Sequence, residues 1–295
     1  MRRLATRGSA LALAQARLAL QQLRALAPGL EIELCVIDSD GDLNPDQAVP
    51  DLPGQGWFSS RLERALLQGE VDAAVHSAKD LPTTMSPELE VGAYLKREDP
   101  RDCIVTRSGC SWTELPAGSR IGTSSPRRGA QLVALRPDLI PTPVRGNVDT
   151  RIRRMGDAEL EAIVVAQAGL LRLGRGREGQ PLDPRTECTP APAQGAIAVQ
   201  VPRGGALAEL VAHIDHRDTR LCVEAEREAL LQMGGGCRLP LGVLAEPSGD
   251  GSYRLTVAWS ATGTGHDLLR RFLVAAPDAL REAARGIAHA LAQPA

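Results

Sequence analysis

Residues 121–154 read IGTSSPRRGAQLVALRPDLIPTPVRGNVDTRIRR, two rounds of a short apolar run, a turn with Gly or Ser, and a helical segment. The expected elements are a strand at 119–122, a helix at 126–135, a strand near 140–144 and a helix at 147–155. Outward from there, 161–166 continues as a strand and 168–173 as a helix. Alternation of this kind builds an α/β layer with a mainly parallel sheet. Each turn also delivers arginines where a helix begins. Arg127, Arg128, Arg145 and Arg151 carry planar guanidinium forks, which match a carboxylate or phosphate at two points. Thr123, Ser124, Ser125 and Asn147 add hydroxyl and amide donors beside helix N-termini, where backbone N–H groups favour anions. Any one of these arginines reads equally well as solvated surface. The cluster as a whole reads as a site for several carboxylates or phosphates.

The same alternation runs upstream. Ser9 caps a helix reaching Leu26 before the Pro28-Gly29 stop, and 31–37 follows as a strand. Residues 38–56, DSDGDLNPDQAVPDLPGQG, are turn formers without periodicity, and so long a loop inside a domain is expected to be functional or mobile. A helix at 58–69 ends at Gly69, and VDAAVHS (71–77) is a buried strand leading into AKDLP, with further strands near 90–95 and 102–106. Downstream, 174–195 is a Pro/Gly-rich connection. The run 196–201 is a strand without a neighbour in sequence, suited to return the chain to the first domain. From about 214 the pattern changes to a helix at 218–233, a GGGC turn at 234–237, three strand-like runs (239–245, 252–260, 267–274) and a last helix. Leu280, Ala284, Ile287 and Leu291 share one face of that helix. Consecutive strands predict a small antiparallel sheet covered by helices. The expected domains are 1–95 with 196–213, then 96–195, then 214–295.

Composition narrows the partners. The formal net charge is −2, and aromatics are 2% of the 295 residues. Nucleic-acid modules are basic overall and offer stacking rings, so that class is disfavoured and the arginine cluster is local. The six cysteines are scattered without a CxxC pair and read as cytosolic thiols. His213 and His216 have no third ligand at a metal-site spacing, so no metal is expected. The N-terminal MRRLATRGSALALAQA imitates a leader, but Arg7, Gln15 and Arg17 interrupt its apolar segment, and no run approaches a membrane span. A soluble cytoplasmic protein is expected. Phosphate-loop, GxGxxG, GxSxG and HExxH patterns are all missing from the sequence.

Three further stretches fall at element ends: ATRGS (5–9), HSAKD (76–80) and GGGCRLP (234–240). Asp80, in a loop after a buried strand, can hold a developing positive charge or move protons, or merely cap a turn beside a solvated Lys79. Cys237 lies where glycines let backbone approach a bulky group and Arg238 can lower its pKa, although a packed structural thiol is the equal alternative.

Taken in order, ATRGSALALAQA, GWFSSRLERALL, VDAAVHSAKDLP, KREDPRDC, IGTSSPRR, RGNVDTR, AGLLRLG, AQGA and GGGCRLP resemble the porphobilinogen deaminase family over nearly the whole chain. The resemblance implies a transferase joining four porphobilinogens head to tail, with loss of ammonia, into hydroxymethylbilane for haem synthesis. It implies two domains resembling type II periplasmic binding proteins plus a small α+β C-terminal domain, in a chain expected to act as a monomer. Its cofactor is a dipyrromethane in thioether linkage to the cysteine that falls here on Cys237. By the same carry-over, Asp80 stabilises the cationic pyrrole states. Ser9, Lys79, Asp80, Thr123, Ser125, Arg127, Arg128, Asn147 and Gln194 contact the cofactor. Arg7, Arg145, Arg151 and Arg172 hold substrate. The chain departs from the family at PGQGWF, with Gln55 where lysine is common, at IDSDGD, where a Thr-containing turn is usual, and at AQGA in place of GQGA. A non-catalytic anion binder of the same two-domain architecture is the rival reading.

Overall fold

The computed structural model describes residues 1–37, 60–157, 159–236 and 239–292. In chain order the first elements are β1 (Arg2–Thr6), α1 (Ala10–Leu26), β2 (Ile32–Val36), α2 (Ser60–Leu67), β3 (Ala73–Ser77), β4 (Leu89–Tyr94) and β5 (Asp102–Thr106). Then come β6 (Arg120–Gly122), α3 (Pro126–Leu135), β7 (Ile140–Thr142), α4 (Val148–Asp157), β8 (Ala162–Ala166), α5 (Gln167–Arg172) and β9 (Gln180–Pro181). The last are β10 (Ile197–Pro202), α6 (Ala208–Ala212), α7 (Arg217–Gln232), β11 (Leu241–Pro247), β12 (Tyr253–Trp259), β13 (Leu269–Ala275) and α8 (Leu280–Ala292). Two compact units result: Met1–Glu98 with Ala196–Arg220, and Asp99–Gly195 with Leu221–Ala295.

The first unit is a five-stranded sheet in the order β2-β1-β3-β10-β4. Strands β1, β2 and β3 are parallel, and β10 enters antiparallel between β3 and β4. The strand expected at 196–201 therefore finds its neighbours in the first sheet. β1 itself is an interior strand that the sequence did not announce. Its two arginines look like a leader, and only Leu4, Ala5 and Thr6 are buried. Alternating side chains feed two cores. Leu4, Ala73, Val75 and Val199 meet Ala16, Leu20 and Leu23 of α1 on one face. Ala5, Ala74 and Leu89 meet Leu62, Ala65 and Leu66 of α2 on the other.

The second unit contains two sheets. One, ordered β7-β6-β8-β5-β9, repeats the plan of the first unit: three parallel strands, then an antiparallel strand, then an edge strand antiparallel to that. The edge strand β9 is two residues inside the Pro/Gly-rich connection, too short to carry any periodicity. The other sheet is β11-β12-β13, antiparallel throughout, with Val243, Leu255 and Val257 packed on Ala225 and Ala229 of α7 and Leu280 and Ala284 of α8. This is the expected fold class: two α/β sheets of one plan and a separate three-stranded antiparallel sheet with helical cover.

One departure of sequence has a readable cost. Ala193, the residue in place of glycine in AQGA, adopts φ 63°, in the left-handed region where a Cβ is disfavoured. Its N–H donates to Glu226 Oε2 at 2.6 Å, while Ala245 N–H donates to Oε1 at 2.8 Å, so the backbone is fixed there. The strain is about 1–2 kcal/mol. Against it stand the entropy that alanine removes from the unfolded chain, about 0.5–1 kcal/mol, and burial of its methyl, about 0.8 kcal/mol. These nearly cancel. Ala193→Gly is therefore expected to leave stability within about 1 kcal/mol of wild type. Ala193→Val, a branched side chain at positive φ, is expected to cost about 2–3 kcal/mol. Denaturant midpoints check both.

Candidate active site

In the first unit the candidate residues follow the C-terminal ends of two adjacent parallel strands, where open α/β sheets place ligand groups. Leu4 pairs with Ala73 and Ala5 with Ala74, so β1 and β3 end side by side. Arg7 and Ser9 follow β1. Ser9 Oγ accepts the Ala12 N–H at 3.3 Å, capping α1 as expected. Lys79 and Asp80 lie in a single 3-10 turn, Ala78–Asp80, after β3, and both are half-buried. The turn is pinned from both sides. Ala78 N–H donates to Ala196 O at 3.0 Å, and Ser77 Oγ lies 2.9 Å from Gln15 Nε2.

His76 of the same HSAKD stretch is 8% exposed. Burial first, and Arg7 nearby, push its pKa from 6.5 to about 4 against a favourable contact with Gln200. It is neutral in the folded protein near neutral pH. The unfolded chain binds the proton more tightly, so stability from this group is complete above about pH 6.5 and is lost as pH falls toward 4. The full loss is about 3 kcal/mol. His76→Gln is expected to flatten the acid limb of the stability profile between those pH values, as read from urea midpoints.

In the second unit β6, β7 and β8 are parallel, and their C-terminal ends carry the arginine-rich turns. Thr123 N–H donates to Thr142 O at 2.8 Å, and Thr123 Oγ1 accepts the Ser125 N–H at 3.2 Å. Ser125 caps α3, accepting the Arg128 N–H at 3.4 Å, with Pro126 in the first turn. Asn147 Oδ1 accepts the Thr150 N–H at 2.9 Å at the start of α4, after a turn in which Gly146 has φ 109°. Arg151 Nε donates to Gly146 O at 2.8 Å, and Arg172 Nη2 to Gly195 O at 2.6 Å.

Arg127 and Arg128 turn inward, 4% and 6% exposed, onto Asp102. β5 runs antiparallel to β8, with Asp102 opposite Ala166, so the first residue of β5 arrives at the edge where the arginines begin. Asp102 Oδ2 accepts Arg127 Nη1 at 2.5 Å, and Oδ1 accepts Arg128 Nε and Nη2 at 3.0 and 2.7 Å. Gln194 Nε2 donates to the same Oδ1 at 2.9 Å and to Pro100 O at 2.8 Å. Burial opposes ionisation of Asp102, but the two guanidiniums outweigh it and hold the carboxyl far below the usual range. Asp102 lies within KREDPRDC, a stretch to which the sequence alone assigns no site residue. An aspartate opening an otherwise apolar strand, DCIVT, was the available signal. Cys237, Arg238 and Gln55 lie outside the described residues, as does the whole of 38–56.

The pattern described as "Porphobilinogen deaminase, dipyromethane cofactor binding domain" matches residues 3–208, and that of the porphobilinogen deaminase C-terminal domain matches 220–287. The porphobilinogen deaminase of Acidothermus cellulolyticus is 43% identical, over 97% of this chain and 87% of the relative. That of Mycolicibacterium gilvum is 45% identical, over 98% and 94%. The chain belongs to the porphobilinogen deaminase family. Among solved structures, the methionine-binding protein MetQ aligns with TM-score 0.45 at 13% identity, over 72% of this chain and 89% of that one.

The donor set suits a porphobilinogen deaminase cofactor bearing several carboxylates. Two buried guanidiniums share one carboxylate, which leaves an excess positive charge in the second unit. Arg127 Nε and Nη2 have no acceptor among the described residues. A buried excess charge of this kind is stabilised by an anion that brings its own negative charge.

Proposed function

We propose that the chain assembles four porphobilinogens head to tail into hydroxymethylbilane, releasing ammonia, on a dipyrromethane primer carried by Cys237. The carrying observation is membership of the deaminase family along both matched segments, together with a buried arginine pair that has charge to spare. When bound, the dipyrromethane supplies the nucleophilic pyrrole carbon from which the product grows.

The chain's own residues do the rest. Arginines Arg7, Arg145, Arg151 and Arg172 take the acetate and propionate groups of porphobilinogen, and Arg127 and Arg128 those of the primer. Ser9, Lys79, Thr123, Ser125, Asn147 and Gln194 complete the primer's polar surroundings. Each added pyrrole brings two carboxylates, and clustered, preorganised cations offset that charge. Loss of ammonia from the aminomethyl carbon of porphobilinogen leaves a cationic azafulvene. The Asp80 carboxylate favours that charge and can shuttle the proton that coupling releases.

We take the chain as three domains, 1–95 with 196–213, 96–195 and 214–295, with the cofactor cysteine in the third. We take porphobilinogen as the one partner of a monomeric cytoplasmic protein without nucleic acid, in keeping with the net charge of −2. Among the described residues no helix is long and apolar enough to cross a membrane, and no cluster of potential ligands could hold a metal ion. The experiment is intact mass of the freshly purified protein with a porphobilinogen assay on the same sample. A mass two pyrrole units above the polypeptide and formation of hydroxymethylbilane are expected. An unmodified protein that binds porphobilinogen without consuming it would establish the anion-binder reading instead.

A further inference from the structure

We propose that Asp102 is a positioning residue for the primer's carboxylates: it fixes the direction of Arg127 and Arg128 and sets their surplus charge. The proposal rests on the deaminase reading above and names the group on which the second unit's part of that reading turns.

Asp102 is fully buried at the first position of β5. Its two oxygens accept four N–H donors, three from Arg127 and Arg128 and one from Gln194, and Oδ2 also lies 3.4 Å from Cys188 Sγ. A carboxylate has about four lone-pair directions, so it is saturated. It cannot move toward one arginine without losing the other. The arginines are held from behind as well. Arg127 Nη1 donates a second bond to Thr189 O at 2.6 Å, and Arg128 Nη1 donates to Val164 O at 3.1 Å. Gln131 in turn grips Thr189, with its Nε2 on Thr189 O at 3.0 Å and its Oε1 accepting Thr189 N–H at 2.8 Å.

The arithmetic of donors and charges separates this arrangement from an ordinary structural ion pair. Each guanidinium has five N–H. Arg127 spends both of those on Nη1 inward and keeps Nε and Nη2, while Arg128 spends Nε and one N–H on each Nη. Neither arginine bonds a second carboxylate among the described residues, so two positive charges face one negative. A closed structural triad would gain by balancing them. This one keeps a unit of positive charge and five N–H donors, aimed by a group that does not itself touch the ligand.

Positioning and bulk electrostatics predict opposite signs for one substitution. Asp102→Asn removes a negative charge from beside the arginines. If charge alone governed, carboxylate ligands would bind better. If position governs, the arginines lose a shared anchor and the primer loads worse. The test uses full-length apoprotein made in cells unable to form porphobilinogen, incubated with hydroxymethylbilane, with primer attachment followed by intact mass. Wild type is the control for the functional reading: if it fails to load, that reading falls. With wild type loading, Asp102→Asn is expected to load about tenfold or more slowly, well below its melting temperature, and to show a raised KM for porphobilinogen once loaded. Loading at or above the wild-type rate overturns the proposal. Should Asp102→Asn fail to fold, Asp102→Glu is decisive instead. It keeps the charge balance but moves the carboxylate by one methylene, so charge alone predicts unchanged loading, whereas position predicts a slowing of about threefold or more. Unchanged loading in that variant overturns the proposal equally.

Discussion

Cys237→Ser is expected to purify at the mass of its bare polypeptide and to form no hydroxymethylbilane. A thioether needs a sulfur nucleophile, and a serine hydroxyl at the same place is far weaker near neutral pH. Cys237 itself lies outside the described residues, but the structure weighs on its five competitors. Cys103, Cys188 and Cys222 are buried. Burial, seconded by Asp102, pushes both Cys103 and Cys188 to about 12, which leaves almost no thiolate for attack. Cys35 is raised as well, by burial and then by Glu33. Half-buried Cys110 has its Sγ 3.0 Å from Ser108 Oγ. Only the cysteine in GGGCRLP comes with consecutive glycines, Gly234, Gly235 and Gly236, all at positive φ, where backbone can pass close to a bulky adduct. Cys35→Ser and Cys110→Ser are therefore expected to keep the added mass and full activity. A Cys237→Ser protein that still carries two pyrrole units would overturn the assignment.

What the sequence revealed and what it hid divide along physical lines. The helix expected at 126–135 is observed over Pro126–Leu135, because Ser125, Pro126 and the apolar spacing after them are all local signals. The return of the 196–201 strand was also legible, since an apolar run with no neighbour in sequence must find one elsewhere. β1 was not legible. A strand that opens with two arginines and exposes its start does not show the alternation that marks a half-buried strand. Asp102 was hidden for a different reason. An aspartate at a strand start ordinarily reads as surface, and its burial depends on two arginines some 25 residues along the chain. The same blindness affected Arg127 and Arg128. Their place at a helix start suggested outward forks, whereas much of their donor capacity is spent inward. Sequence position says where a guanidinium is rooted, and only packing says which way it turns.

Asp80→Asn is expected to separate rate from stability. The turn that carries Asp80 is held by Ala78 N–H on Ala196 O at 3.0 Å, Leu81 N–H on Ala78 O at 3.3 Å and the Ser77–Gln15 side-chain bond. Among the described residues no donor takes up the Asp80 carboxylate, so an amide of nearly the same shape removes no structural bond. The thermal midpoint should therefore stay close to wild type, within the range of about 0.5 kcal/mol usual for such sites. Primer attachment should also proceed, since the arginines proposed to hold its carboxylates are untouched. What is lost is the negative charge proposed to face the cation that develops as ammonia departs. Removing a positioned electrostatic or proton-transfer group costs about 10²–10⁴ in rate, and that is the expected fall in single-turnover coupling for primer-loaded Asp80→Asn. Near-wild-type coupling in a loaded variant would leave Asp80 as a turn former and move the search for the charge-stabilising group elsewhere. A large fall in midpoint alongside slow coupling would show instead that the carboxylate is part of the fold, and the slow rate would no longer report on chemistry. Because none of the turn's bonds among the described residues runs through the Asp80 carboxylate, the expected pattern is slow coupling on an intact, loaded protein.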